Sequence, residues 1–383
     1  MALDFPFQHN QKMRLGRRET AKVAKRPVPD ALSGYRLSAA RTRRSSFMIY
    51  LACHCVKVTE AEKSGKDENA VIANEGSFRG MDRKISGLDF VLLILLASFW
   101  GSAFLFIKIA ITSIPPMSLA AGRVAIGAMI LYGMIRLYGL SLPGDIRSWL
   151  GAAGVTMAGT VVPFFLIGWG QQSVDSALTA ICMASVPLFT LPLAHLMTHD
   201  EKLHITKVVG VIIGFSGVAV LVISSTSGMV SATPQGLTAI LSAAFGYALS
   251  GLLIHRLTYS HPFVMSTMIL ISGAVILIVL SVVLDNPLTL SPDRDAWLSL
   301  LVLGIFPTGF ATLLVVHLVR RVGPTFMSLN NYLVPVVGII CGVVWLDETL
   351  GLWSIFAFLL IFCGIFLTMR KSAPATAPDD SRP

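Results

Sequence analysis

Lysine and arginine are scarce in the apolar part of this chain, yet one apolar stretch holds both. The segment "WGSAFLFIKIAITSIPPMSLAAGR", residues 100–123, is hinged at Pro115 and Pro116 and places Lys108 in its first run and Arg123 in its second. A cation in hydrocarbon costs about 2.5–3.5 kcal/mol on insertion scales, so each must snorkel, find a partner or serve a function. At 1.5 Å of rise per helical residue, Lys108 falls roughly 6 Å from the end of its run and Arg123 about 9 Å inside the start of the next. Arg123 is the deeper and cannot lose its charge, so it is expected to face protein or water, bonding a helix-end carbonyl or an anionic group. Asn330 and Asn331 raise the same question, because two adjacent amides in an apolar helix need partners. They project about 100° apart, so at most one faces a cavity directly while the other bonds a neighbouring helix. Trp100, Trp169, Gln171, Gln172 and Tyr247 add polar and aromatic groups at comparable places, although Trp and Tyr also anchor helices at interfaces.

Other chemistries find less support. Glu201 and Glu348 each follow an Asp at a junction between apolar runs, where a carboxylate meets the positive end of the next helix dipole. Proton relay would want a carboxylate within an apolar run, and none is clearly there. His195 and His317 could titrate or pack, but two distant histidines do not make the cluster an enzyme needs. Cys53-His54-Cys55 is half of a metal motif with no second ligand pair at a usable spacing, so no metal is expected. There is no phosphate-binding loop, and no cofactor is implied.

These residues must be positioned by helices in lipid. The chain is 54% hydrophobic and 13% charged, where a soluble protein has about 25% charged residues. Apolar segments of the length a bilayer requires recur near 89–112, 117–138, 149–169, 176–197, 205–224, 235–255, 263–284, 296–318, 325–346 and 351–369. The expected fold is an all-α integral membrane protein with ten transmembrane helices. Lys and Arg of the short connections fall on one side: Arg136, Arg147, Lys202, Lys207, Arg256, Arg320, Arg321, Arg370 and Lys371, against Arg294 alone on the other. Positive residues stay inside, so both termini are expected to be cytoplasmic, in a plasma or inner membrane.

The net charge of +9 does not speak for nucleic acid. Residues 1–87 hold 17 Lys or Arg against 9 acids, a net +8, which leaves +1 for residues 88–383. This basic extension has too little apolar surface to fold alone. Its run Phe47 to Val56 suits a signal-peptide core but is too short to span, and an Arg- and Ser-rich start also suits a transit peptide. A more economical expectation makes Met81 the physiological start and residues 1–80 an upstream extension of the reading frame. Residues 371–383 form a second polar tail.

The sequence repeats itself. Pro187, Glu201 and Gly217 recur in order as Pro335, Glu348 and Gly364, with the Glu-to-Gly spacing 16 in both, and Trp100-Gly101 matches Phe245-Gly246 more weakly. Residues 88–225 and 235–370 are therefore expected to be two copies of five helices. Five is odd, so the second copy enters the membrane inverted, the usual construction of a secondary transporter with its site between the halves. Lys108 and Arg123 stand opposite Leu253 and Met268, so the cation pair belongs to one half. Gly210-x3-Gly214 and Gly338-x3-Gly342 offer close helix packing, and Pro163, Pro187, Pro307 and Pro335 interrupt helices.

"WGSAFLFIKIA", the "IPPMSLAAGR" that follows, and the paired Pro, Asp-Glu and Gly landmarks resemble the two EamA domains of the drug/metabolite transporter superfamily. The resemblance implies a ten-helix secondary transporter with both ends cytoplasmic, often an exporter of amino acids, metabolites or toxic compounds. Its partners would be a small-molecule substrate and membrane lipid, with coupling to a proton or counter-substrate. The substrate pathway is then expected among Trp100, Lys108, Arg123, Gln171, Gln172, Tyr247, Asn330 and Asn331, and the six landmarks are expected to be structural. A sugar-phosphate or nucleotide-sugar exchanger would present several basic groups to its substrate, and only two candidates exist. A membrane scaffold without flux is the remaining alternative.

Overall fold

The computed structural model describes residues 85–197, 205–254 and 261–369. The N-terminal extension with Met81 and Cys53-His54-Cys55, the landmark Glu201, and Lys202, Arg256, Arg370 and Lys371 lie outside the described residues. Among the described residues there is no β-strand. Among those residues nine helices are long and apolar enough to cross a membrane, and a shorter apolar helix accompanies them. In chain order they are α1 Gly87–Ala110, α2 Pro116–Leu137, α3 Ile146–Gly170, α4 Ser176–Met197, α5 Ile205–Thr226, α6 Pro234–Ile254, α7 Pro262–Leu284, α8 Arg294–Val322, α9 Asn330–Trp345 and α10 Leu352–Met369.

Three of the long helices are not regular. α3 passes through a π-helical turn at Met157–Val161 just before Pro163, and α8 through one at Gly304–Phe310 that contains Pro307. α4 breaks between Met183 and Val186, just before Pro187. Each break falls where proline withholds an N–H from the carbonyl four residues earlier or crowds it. The run expected over 325–346 is likewise divided into a turn, Pro324–Met327, and the 16-residue α9. There the bonds Leu329 N–H to Phe326 O and Asn331 N–H to Ser328 O tighten the chain between the two pieces.

Helix packing follows a reciprocal scheme. α1 lies against α9 and α8, α6 against α4 and α3, α2 against α7, and α5 against α10. α2 and α8 bury 56% of their apolar windows and are central, whereas α5 and α10 bury 33% and are peripheral. Their outward faces carry side chains such as Ile212, Ile223, Leu359 and Phe366, all more than half exposed, as suits contact with lipid chains. The chain is a multi-pass membrane protein.

Lipid is as apolar as leucine, so close packing rather than water exclusion must join these helices. The α5–α10 seam shows how. A Cβ at Gly364 would lie 2.6 Å from the backbone of Gly214 and 2.5 Å from Gly210 O, and one at Gly217 would lie 2.7 Å from Ala357 O. Gly364→Ala is expected to force the pair apart and cost about 1–3 kcal/mol, the usual range for overpacking. Thermal unfolding in detergent reads this, with Gly133→Ala, which meets nothing within 4 Å, as the control.

Candidate functional site

One end of the bundle is stitched together. Lys108, in the last turn of α1, donates from Nζ to the carbonyls of Gln171 and Val174, both at 2.9 Å, and lies 3.9 Å from Asp175 Oδ1. Gln171, fully buried, returns a bond from Nε2 to Phe104 O at 3.0 Å. Lys108 is thus engaged with the carbonyl end of α3 and its loop, a favourable place for a cation beside a helix C-terminus, and it does not extend freely into an interface. Ser173 and Thr233 join the α3–α4 and α5–α6 connections through their hydroxyls, 2.7 Å apart. Asp285, just past α7, accepts from Ser118 N–H and Ser118 Oγ–H, both 2.8 Å, in the first turn of α2.

Glu348 belongs to the same end. Its carboxylate accepts Ser176 N–H at 2.7 Å, Ala177 N–H at 2.8 Å and Ser176 Oγ–H at 3.1 Å. The residue therefore caps α4, and not α10, the next helix in the chain, as its position by α10 led one to expect. Asp175 occupies the N-cap position of α4 but makes no capping bond. Burial and then the neighbouring Glu348 carboxylate raise the Asp175 pKa above its ordinary value, against the lowering influence of Lys108 and a Ser231 hydrogen bond. A raised folded-state pKa means that the ionised form costs the fold stability, a cost absent below the unfolded pKa of about 3.9 and complete above the folded one. Asp175→Asn is accordingly expected to unfold at a higher temperature than the parent at pH 7, with the difference closing toward pH 4.

Arg123 sits deeper, about 10 Å along α2 from its Pro116 end at 1.5 Å per residue. It is 6% exposed. Its Cζ lies 4.1 Å over the ring of Phe164 in α3, and its Nε–H donates to Thr308 Oγ1 at 3.3 Å. The acceptor is prepared by the irregularity of α8. Pro307 has no N–H to give Leu303 O, and Thr308 Oγ–H fills that place at 2.8 Å, which leaves an oxygen lone pair aimed at Arg123. Gly127, one turn along α2, permits the approach: a Cβ there would lie 2.6 Å from Thr308 Cγ2. Tyr247 of α6 flanks the group, its ring 6.4 Å from that of Phe164. Trp100 of α1 reaches the same turn of α8, donating from Nε1 to Pro307 O at 3.2 Å. Three helices besides α2 thus meet around Arg123, with α1 touching the same turn of α8, and among the described residues no carboxylate lies within ion-pairing distance of it.

The opposite end is fastened differently. Asp89 closes a capping box with Ser86 and pairs with Arg321 at the end of α8, and Arg321 Nη2 also donates to Ser86 Oγ at 3.2 Å. At the same end, α4, α5, α9 and α10 border an open depression of about 310 Å³ lined by Pro187, Thr190, Lys207, Asn331 and Thr368, among others. Asn331 is exposed toward it, and Asn330 is 2% exposed, its Oδ1 without a hydrogen-bond partner. Gln172 is exposed at the stitched end. Pro335 is buried within α9. The eight expected pathway residues therefore divide into three places: Trp100, Arg123 and Tyr247 around the π turn of α8, Lys108, Gln171 and Gln172 at one end, and Asn330 and Asn331 at the other. Sequence reasoning did not find Phe164 or Thr308. The adjacency Pro307-Thr308, a hydroxyl beside a missing N–H, was a legible signal for the second, whereas nothing marks Phe164 among the apolar residues of α3.

The model of the EamA-like transporter family matches residues 89–223 and again residues 234–370. The chain belongs to the EamA-like transporter family. Two copies of the EamA domain thus contribute to the Arg123 cluster, α2 and α3 from the first and α6 and α8 from the second. Among EamA-like relatives, the chain is 28% identical over 294 residues to the "Uncharacterized inner membrane transporter YedA" of Escherichia coli K12, covering 75% of this chain and 94% of that one. It is 29% identical over 303 residues to a "Probable amino-acid metabolite efflux pump" of the same strain, covering 74% and 96%. A solved crystal structure superposes with a TM-score of 0.54 at 17% identity, over 73% of this chain and 96% of its own, a likeness of fold alone.

Proposed function

We propose that this EamA-like protein is a secondary transporter that carries a small organic solute outward across the inner, or plasma, membrane. Ten helices form two five-helix repeats of opposite orientation, both termini are cytoplasmic, and the repeats rock about a solute held between them. The observation that carries the reading is the placement of Arg123: a buried cation of the first copy, bonded to Thr308 of the second and, among the described residues, without a carboxylate counter-charge. A charge so costly in lipid is a functional site by default. Reciprocal packing supports the inverted arrangement, since exchanging α1–α5 with α6–α10 turns the α1–α9 and α1–α8 contacts into α6–α4 and α6–α3. With the stated orientation the stitched end is external and the 310 Å³ depression lies at the cytoplasmic end. A proton or a counter-solute drives the cycle.

Export or growth-resistance assays across amino acids, organic acids and toxic compounds, comparing producing and deleted cells, test this. A producing strain is expected to retain less of at least one solute. No change for any member of the panel, with the protein abundant in the membrane, would favour a scaffold instead.

A further inference from the structure

The guanidinium of Arg123 has five N–H donors, and one of them is bonded within the described protein. Its Nη groups offer a forked pair of donors of the kind that binds a planar carboxylate with two parallel hydrogen bonds. The charge available there is a single one, because Lys108 is engaged with two carbonyls and Asp175 at the end of the bundle. A phosphate ester, carrying nearly two negative charges, would bring one charge into the interior without compensation. An ammonium group fares no better. Every acidic side chain among the described residues stands at a helix end or in a connection, with Asp89 paired to Arg321, Asp285 capping α2 and Glu348 capping α4. The neighbours of Arg123 are instead aromatic: the ring of Phe164, which the guanidinium overlies, that of Tyr247 beside it and, against the same turn of α8, Trp100.

We propose that the Arg123 site selects organic monocarboxylates with an apolar, preferably aromatic, body, and discriminates against amino acids, amines and phosphate esters of the same shape. The proposal rests on the transporter reading above and adds the solute class. One carboxylate neutralises one guanidinium, the apolar body packs on the rings, and no group of the solute is left buried without a partner.

Ring-matched probes separate these classes: 3-phenylpropionate, phenylalanine, phenethylamine and phenyl phosphate, titrated calorimetrically against the purified full chain in detergent. 3-Phenylpropionate is expected to bind at least tenfold more tightly than the other three. Arg123→Gln should weaken it at least tenfold and Arg123→Lys less, each variant being checked for a monodisperse elution peak. Phenylalanine or phenyl phosphate bound equally well or better, and still dependent on Arg123, overturns the solute class and leaves the transporter reading standing. Phenylpropionate binding that survives both Arg123 variants overturns the site. Failure of all four probes with well-folded protein overturns the class too, and the cellular export panel then decides whether the transporter reading falls with it.

Discussion

Arg123→Gln is expected to reduce transport by more than tenfold while shifting the folding stability by no more than about 1 kcal/mol. The two halves of that result come from different terms. A cation in the membrane interior costs about 2.5–3.5 kcal/mol on insertion scales. Arg123 recovers part of this through Phe164, where a desolvated cation–π contact contributes about 0.5–2 kcal/mol. The hydrogen bond to Thr308 adds about 0.5–1.5 kcal/mol. Cost and recovery are comparable, so the fold gains little from the charge, and a neutral amide of smaller volume can hold the Thr308 oxygen. The solute, by contrast, would lose its counter-charge. Lys108→Gln should behave in the opposite way, lowering the unfolding midpoint because the carbonyls of Gln171 and Val174 lose a charged donor, and lowering flux only as far as folded protein is lost. Thermal unfolding and solute counterflow on the same two preparations check both. An Arg123 variant with unchanged counterflow would reduce the cation to an anchor.

The contrast between these two cations also marks how far the sequence could be read. Their types and positions announce a problem to be solved in lipid, and their depths follow from helical rise alone. What each meets does not, because the hydrogen-bond partners lie 63 and 66 residues away for Lys108 and 185 for Arg123. Helix positions were legible within a few residues, since runs of twenty apolar residues have few other solutions. The break before α9 was not, because "GPTFMSLNNY" is apolar enough to continue a helix and turns only through the local bonding around Ser328. Gly210 and Gly214 could be recognised as packing residues from their spacing, and Gly217 and Gly364 as repeat landmarks, but that they face each other across α5 and α10 required the fold. Asp89 and Arg321, or Asp285 and Ser118, carry no sequence signal of their pairing at all. Each joins one EamA copy to the other, and a sequence read along the chain is blind to contacts made across it.

Glu348→Ala is expected to be the most damaging single change at the stitched end, costing about 2 kcal/mol or more. Two backbone N–H groups and a hydroxyl at the start of α4 lose their acceptor together. Removal of an ordinary N-cap costs about 0.5–2 kcal/mol, and a buried donor left without a partner about 1–3. Asp175 cannot take over, because its side chain makes no bond to the helix start although it stands at the N-cap position. Glu348→Gln should cost less: the amide keeps one oxygen for Ser176 N–H, but presents an NH2 where the second acceptor stood and gives up the attraction between a carboxylate and the helix dipole. Because Glu348 belongs to the second copy and α4 to the first, uncapping should also loosen that end of the bundle. Val174, 1% exposed beside it, supplies the probe. In a cysteine-free background, Val174→Cys is expected to react with a membrane-impermeant maleimide several-fold faster once Glu348 is alanine. Equal labelling rates, with the unfolding midpoint lowered, would mean that Glu348 holds α4 in shape without holding the two copies together.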